Sequence, residues 1–220
     1  MQKTRQQLLE IYEILFQAFG PQHWWPGQSR FEIIVGAILT QNTNWSNVEK
    51  AIANIRAAGC LSPEKLYALE PEALETLIRP AGYFRLKAKR LRNFLQWLFD
   101  AYQGQLETLD EVETRRLREE LLAISGVGPE TADSILLYAL DRPVFVVDTY
   151  TARIAVRHGL IEPEIGYDQL QYLFESALEP DVQRFNEFHA LMVCIGKDFC
   201  KPKPKCAACP LNGLPHTIQE

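Results

Sequence analysis

The sequence predicts an all-α protein, and three observations carry that prediction. Apolar residues recur at helical spacing along almost the whole of the 220 residues. Helix starts carry their usual punctuation, and no alternating run is long enough to suggest a sheet. With 47% hydrophobic and 23% charged residues, the composition is that of a globular chain able to bury a core, as one domain or two small lobes.

The elements follow in order. Residues 5–19 place Leu8, Leu9, Tyr12, Leu15 and Phe16 on one face. Glu10 and Glu13 break the apolar stretch, so the segment reads as an amphipathic helix rather than a secretory signal. No apolar run approaches the roughly 20 residues a membrane span needs. A cytoplasmic protein without a disulfide framework is therefore expected. Further helices are expected near 30–41, 46–58, 63–69, 72–78, 84–102, 114–122, 129–140, 147–157, 167–177 and 181–195. Ser62-Pro63-Glu64 and Pro71-Glu72 open two of them, with proline where a first helical turn tolerates it. The one β-like stretch, PVFVVDT at 143–149, is short. Cys60, alone at a helix end, reads as a small buried hydrophobe. There is no internal repeat. After about residue 200 the run KPKPKCAACPLNGLPH cannot continue a helix, and something other than a hydrophobic core must hold it.

Net charge is −5, the opposite of what a nucleic-acid binder usually carries. Locally the balance differs. Arg85, Lys87, Lys89, Arg90 and Arg92 crowd one segment, and Lys197, Lys201, Lys203 and Lys205 another. Phosphate contacts need a basic face rather than a basic protein, although either cluster alone also reads as a solvated surface.

The most informative stretch is 121–149, LLAISGVGPETADSILLYALDRPVFVVDT. A helix ends near Ser125, the turn Gly126-Val127-Gly128 follows, and Pro129 opens the next helix. The glycines allow close approach of another surface, and the free N–H groups of the new helix can hold a phosphate oxygen. Asp148 follows an apolar run 20 residues beyond Gly128. Together these residues resemble the helix-hairpin-helix glycosylases of the endonuclease III superfamily. Their pattern, L-x-x-[IL]-x-G-V-G-x-x-T-A followed by V-D-T, is matched by Leu121, Ile124, Gly126, Val127, Gly128, Thr131 and Ala132, then Val147, Asp148 and Thr149.

The resemblance implies a six-helix barrel lobe over 24–138 carrying the hairpin. It implies a second helical lobe from 1–23 and 139–220, ending in a Cys-rich metal loop, with a DNA cleft between the two. It further implies that Gly126, Val127, Gly128 and Thr131 contact DNA, that Asp148 is the catalytic carboxylate, and that a monomer binds double-stranded DNA with a damaged base. A carboxylate suits the chemistry, since breaking an N-glycosidic bond builds positive charge on the sugar. A helix-capping Asp is the structural alternative for Asp148. Bifunctional members of the family carry a Lys two residues after the second hairpin glycine, where this chain has Glu130. Without that amine no Schiff base forms there, so a monofunctional enzyme with water as nucleophile is expected.

The segment 23–49 resembles the 3-methyladenine glycosylase III branch of that superfamily. The shared features are Trp24-Trp25-Pro26, Thr40-Gln41-Asn42-Thr43 and an aromatic at Trp45, where a Phe is familiar; Arg79-Pro80-Ala81-Gly82-Tyr83 and Lys87-Ala88-Lys89-Arg90-Leu91 match further on. The resemblance places Trp24, Trp25, Pro26 and Trp45 at a pocket for the extruded base, with Gln41 filling the gap left behind. A purine alkylated at N3 or N7 is cationic, and stacking it between indoles contributes about 0.5–2 kcal/mol per contact. Packing in the core is the other reading of these tryptophans.

Cys200, Cys206 and Cys209 form C-x5-C-x2-C, against the family's C-x6-C-x2-C-x5-C, which holds a [4Fe–4S] cluster. The fourth position falls on Pro215, and Cys194 or His216 would complete the set. A structural zinc and three free thiols are the alternatives. For the activity, the alternatives are a glycosylase for oxidised or mismatched pyrimidines and a non-catalytic DNA-binding module; an iron–sulfur electron-transfer protein would leave most of the chain unexplained.

Overall fold

A computed structural model describes residues 2–218, which are helical with no strand among them. They fall into two compact units, 25–142 and a second built from 1–24 with 143–220.

The unit 25–142 is organised on α2 (Arg30–Leu39), eight of whose ten residues are buried. A helix that is apolar on nearly every side must be enclosed. It is enclosed by α3 (Trp45–Ala57), by α6 (Phe84–Tyr102), and by α8 (Pro129–Ser134) with its continuation Ile135–Ala139. In that continuation the helix widens, Leu140 N–H reaching back to the Ile135 carbonyl. Ser29 caps α2 by accepting from the Glu32 amide, and the buried Glu32 carboxylate is answered by Arg56 of α3 at 2.6 Å. The short α4 (Pro63–Tyr67) and α5 (Pro71–Ile78) both open on proline, as their punctuation predicts. The remaining helix, α7 (Thr114–Ala123), leads into the Gly126–Gly128 turn.

The basic run on α6 is not the single exposed face that its sequence suggests. Lys87 is 1% exposed and donates to the Ala81 carbonyl at 2.7 Å, fastening the turn before the helix. Burial, with the Arg90 guanidinium beside it, pulls its pKa down to about 8. Arg92 donates to the Leu69 carbonyl, and Arg90 bonds Gln41. Arg85 and Lys89 alone of the five stay exposed.

In the second unit α1 (Gln2–Phe19) buries Leu8, Ile11 and Leu15. The stripe is turned slightly from the expected face, so Ile11 takes its centre while Tyr12 and Phe16 stack at its edge. Beside α1 lie α10 (Tyr167–Ala177) and α11 (Val182–Asp198), and α11 also packs on α9 (Thr149–Arg157). Phe145 is the hub of the core: its ring stacks on Phe174 at 4.1 Å and meets Phe185 and Phe188 edge-on.

The β-like segment is extended but pairs with no strand. One stripe of α10 supplies its hydrogen bonds instead. Glu175 accepts from the Phe145 amide, Gln171 donates to the Phe145 carbonyl, and the Tyr167 hydroxyl accepts from the Val147 amide. These three side chains stand four residues apart, one above the other on a helix. They satisfy backbone groups that would otherwise be buried unpaired. The helix expected from residue 147 therefore starts at Thr149, with Asp148 outside it as the cap.

Candidate active site

Asp148 sits where the extended segment gives way to α9. Its Oδ1 accepts from the Thr151 amide at 2.7 Å, the bond of a helix N-cap. Its Oδ2 faces His189 Nε2 at 3.7 Å. Burial pushes the Asp148 carboxyl pKa up, but His189 and the Thr151 N–H outweigh it and hold the group below the usual aspartate range. The result is a nearly buried carboxylate, anionic at neutral pH, with one oxygen committed to the fold. Capping and ionisation are thus properties of one side chain rather than rival readings of it.

His189 lies on α11, and the sequence reading passed over it. It is 5% exposed, and its ring stacks on Trp24 with centroids 5.9 Å apart and 27° between planes. Its place follows from Gly196, two turns further along the same helix. A Cβ at Gly196 would stand 2.5 Å from Tyr150 Cβ, so only glycine lets α11 come this close to the start of α9. A glycine in the last turn of the helix with a histidine seven residues earlier was the available signal.

The four residues expected at a base pocket divide. Trp25 meets Trp45 edge-on at 5.2 Å and tilts against Tyr138 at 5.1 Å. Gly36 of α2 makes room for both indoles, since a Cβ there would come within 3.1 Å of Trp25 Nε1. Trp24 belongs to the other unit, on His189, and Pro26 is exposed. All three tryptophans keep part of their surface open.

The hairpin residues come together with Gln41. The Gln41 amide donates to Thr131 Oγ1 at 2.8 Å and to the Gly126 carbonyl at 3.2 Å, while its carbonyl oxygen accepts from Arg90. Below the turn, Arg118 of α7 makes a two-pronged ion pair with Asp133 of α8, at 2.7 and 3.0 Å. Val127 is buried and pins the turn to its own unit.

The two glycines differ in kind. Gly126 has φ +98°, and a Cβ there would lie 2.4 Å from Arg90 Cγ. Gly126→Ala is expected to lower the unfolding free energy by roughly 1–2 kcal/mol. Gly128 has φ −96°, which any residue adopts, and a Cβ there would meet nothing within 4 Å. Nothing within the chain requires a glycine there. Gly128→Ala should melt with the wild type yet bind duplex DNA several-fold more weakly, and equal affinity in a titration would remove the hairpin from the interface.

In the tail, Cys200, Cys206, Cys209 and His216 line one pocket. Cys194 does not line it. Two arginines of α9 tie the start of the loop: Arg153 to the Cys200 carbonyl at 2.6 Å, and Arg157 to the Cys200 sulfur and the Lys201 carbonyl at 3.2 and 2.7 Å. Burial, with Cys200 and Cys206 nearby, pushes the Cys209 thiol up despite the Leu211 backbone contact. Among the described residues no group of three His, Cys, Asp or Glu side chains is placed to hold a single metal ion. Thiolates on one zinc stand within about 4 Å of one another, whereas those of a cluster ring a larger core. Three thiols and an imidazole are a donor set that a zinc or an iron–sulfur cluster accepts. Cys60, expected to be buried, is half-buried, its thiol on the Ala58 carbonyl.

A nearly buried carboxylate, a glycine hairpin and three half-buried indoles thus stand on an all-helical frame. The HhH-GPD superfamily of base excision DNA repair proteins matches residues 35–180, and the chain belongs to it. A protein of Methanocaldococcus jannaschii named as a DNA repair glycosylase is 47% identical over 207 residues, 93% of this chain and 94% of its own. Endonuclease III of Thermotoga maritima is 31% identical, covering 81% of this chain and 79% of its own. Among solved structures, the H. pylori 3-methyladenine DNA glycosylase bound to 1,N6-ethenoadenine is similar with a TM-score of 0.75 at 30% identity, covering 88% of this chain and 97% of that one. An endonuclease III trapped as a covalent intermediate with DNA gives a TM-score of 0.80 at 25% identity, covering 96% and 94%. No helix among the described residues is long and apolar enough to cross a membrane.

Proposed function

We propose that this protein is a monofunctional DNA glycosylase that hydrolyses the N-glycosidic bond of alkylated purines such as 3-methyladenine in double-stranded DNA. The observation that carries the reading is the Asp148 carboxylate, nearly buried yet held anionic at the start of α9. When the C1′–N bond breaks, the base departs with the electron pair and positive charge grows on the sugar. Asp148 stabilises that charge. Water adds its oxygen to C1′, and its proton passes to Asp148 or to solvent. A purine methylated at N3 or N7 already carries a positive charge and leaves as a neutral base, so it needs little acid assistance. Trp24, Trp25 and Trp45 supply electron-rich rings for such a cation, and the likeness to a 3-methyladenine glycosylase supports the same choice.

Glu130 stands in the first turn of α8, where the resembling bifunctional enzymes carry lysine. A carboxylate cannot form a Schiff base. Cys200, Cys206 and Cys209 would hold a [4Fe–4S] cluster, with His216 rather than Cys194 on the same pocket, and its part would be to fasten the loop. Iron and sulfide analysis of protein purified without oxygen tests this, with about four of each expected per chain. The protein would act as a monomer.

Methylated duplex DNA should yield free 3-methyladenine before any alkali, with the strand intact until alkali is added. Borohydride added during turnover should trap no protein–DNA adduct. Release of thymine glycol or of a mispaired pyrimidine, with none from alkylated duplex, would assign the enzyme to pyrimidines. A trapped adduct would show that another amine does the work of the missing lysine.

A further inference from the structure

We propose that His189 is a positioning residue for the reaction: it holds the Asp148 carboxylate turned toward the sugar, and it couples that carboxylate to the ring of Trp24. The inference rests on Asp148 being the reacting carboxylate. Thr151 binds Oδ1, so Oδ2 is the atom left to face developing charge, and His189 Nε2 is 3.7 Å from it. That gap is longer than a direct hydrogen bond and within the reach of an ion pair. The imidazole cannot swing away. It is buried, Trp24 covers one of its faces, and the Gly196–Tyr150 contact fixes α11 against α9 two turns along.

The surroundings leave His189 this task. Around the pair, α9 contributes the Thr151 amide and hydroxyl, and α10 the Tyr167 hydroxyl on the Val147 amide. From α1, Tyr12 packs on Phe188, next in sequence to His189. Of the groups acting on Asp148, His189 opposes burial most strongly, and burial by itself raises the carboxyl pKa. Trp24, one of the rings offered to the flipped base, rests on the same imidazole. A base stacked on Trp24 therefore bears on the group that orients the acid.

Two substitutions separate the nitrogen from the ring. His189→Phe keeps a planar ring for Trp24 and removes the nitrogen; His189→Asn keeps a polar donor and removes the ring. Each is compared with wild type and Asp148→Asn in single-turnover base release from methylated duplex across pH, in affinity for that duplex, and in the carboxyl titration followed by carbon NMR of labelled aspartate. In His189→Phe the Asp148 carboxyl should titrate at higher pH than in wild type. The acid limb of the rate profile should move the same way. Release at neutral pH should fall by roughly 10–100-fold with affinity unchanged. His189→Asn should recover part of the rate. An Asp148 titration and rate unchanged in His189→Phe would overturn the proposal, as would a wild-type Asp148 that titrates like an ordinary aspartate, a result that needs no variant to fold. Full activity in Asp148→Asn would instead sink the functional reading itself.

Discussion

The Asp148→Asn protein is expected to hold methylated duplex as tightly as the wild type and to release base more slowly by on the order of 10²–10⁴-fold. Under the proposed mechanism the two properties separate, because Asp148 would do two things with two oxygens. Asparagine keeps an oxygen for the Thr151 amide, so the N-cap of α9 survives and the helix begins where it did. What asparagine cannot supply is negative charge beside the sugar or a base for the water. Asp148→Ala would remove the cap as well, at a further cost of about 1 kcal/mol in stability. Acidity gives a second check. The folded-state pKa of Asp148 is depressed, so its contribution to stability is present above the unfolded value and lost as pH falls through the folded one. The asparagine variant has no such group, and the stability difference between the two proteins should shrink on acidification.

A stability effect of comparable weight is expected at the hairpin. Arg118→Met takes the two-pronged ion pair away from Asp133, which is 0% exposed. Removing one member of a buried ion pair typically costs about 3–5 kcal/mol, which for a chain of this size lowers the melting temperature by roughly 6–20 °C. The ion pair joins α7 to α8 directly beneath the Gly126–Gly128 turn. Affinity for undamaged duplex should fall with stability at temperatures where the wild type is still folded. The double variant with Asp133→Leu should recover most of the loss, because a pair replaced by apolar side chains leaves no orphan. If Arg118→Met melts with the wild type, the pair does not hold the hairpin.

Much of the helical frame was legible in the sequence because its signals are local. Capping Ser62, the prolines at 63, 71 and 129 and the hairpin glycines each act within one turn of helix, and the elements start where they say. Long-range duties were not legible. Lys87, Arg90 and Arg92 read as a basic patch, yet the carbonyls and the amide they satisfy lie 6, 49 and 23 residues away in sequence. His189 reads as one polar residue among several on an amphipathic helix, and its relation to Asp148 exists only once Gly196 has brought α11 against α9. The tail shows a third case. Spacing alone left Cys194 and His216 open as companions to the other three cysteines, and the fold brings His216 to their pocket.

The stripe on α10 that holds residues 145–147 has a consequence for how the acid at 148 is placed. The three rungs of the stripe are unevenly matched: Glu175 and Gln171 take the amide and the carbonyl of one residue, Phe145, and Tyr167 takes the amide of Val147. From Tyr167 to Glu175 the helix advances about 12 Å, whereas two residues of extended chain advance about 6.6–6.8 Å. The side chains therefore converge on the segment like guy ropes on a mast, and the last rope is tied one residue short of Asp148. The place from which the acid starts is thus written in Tyr167, Gln171 and Glu175 as well as in the residues that touch it.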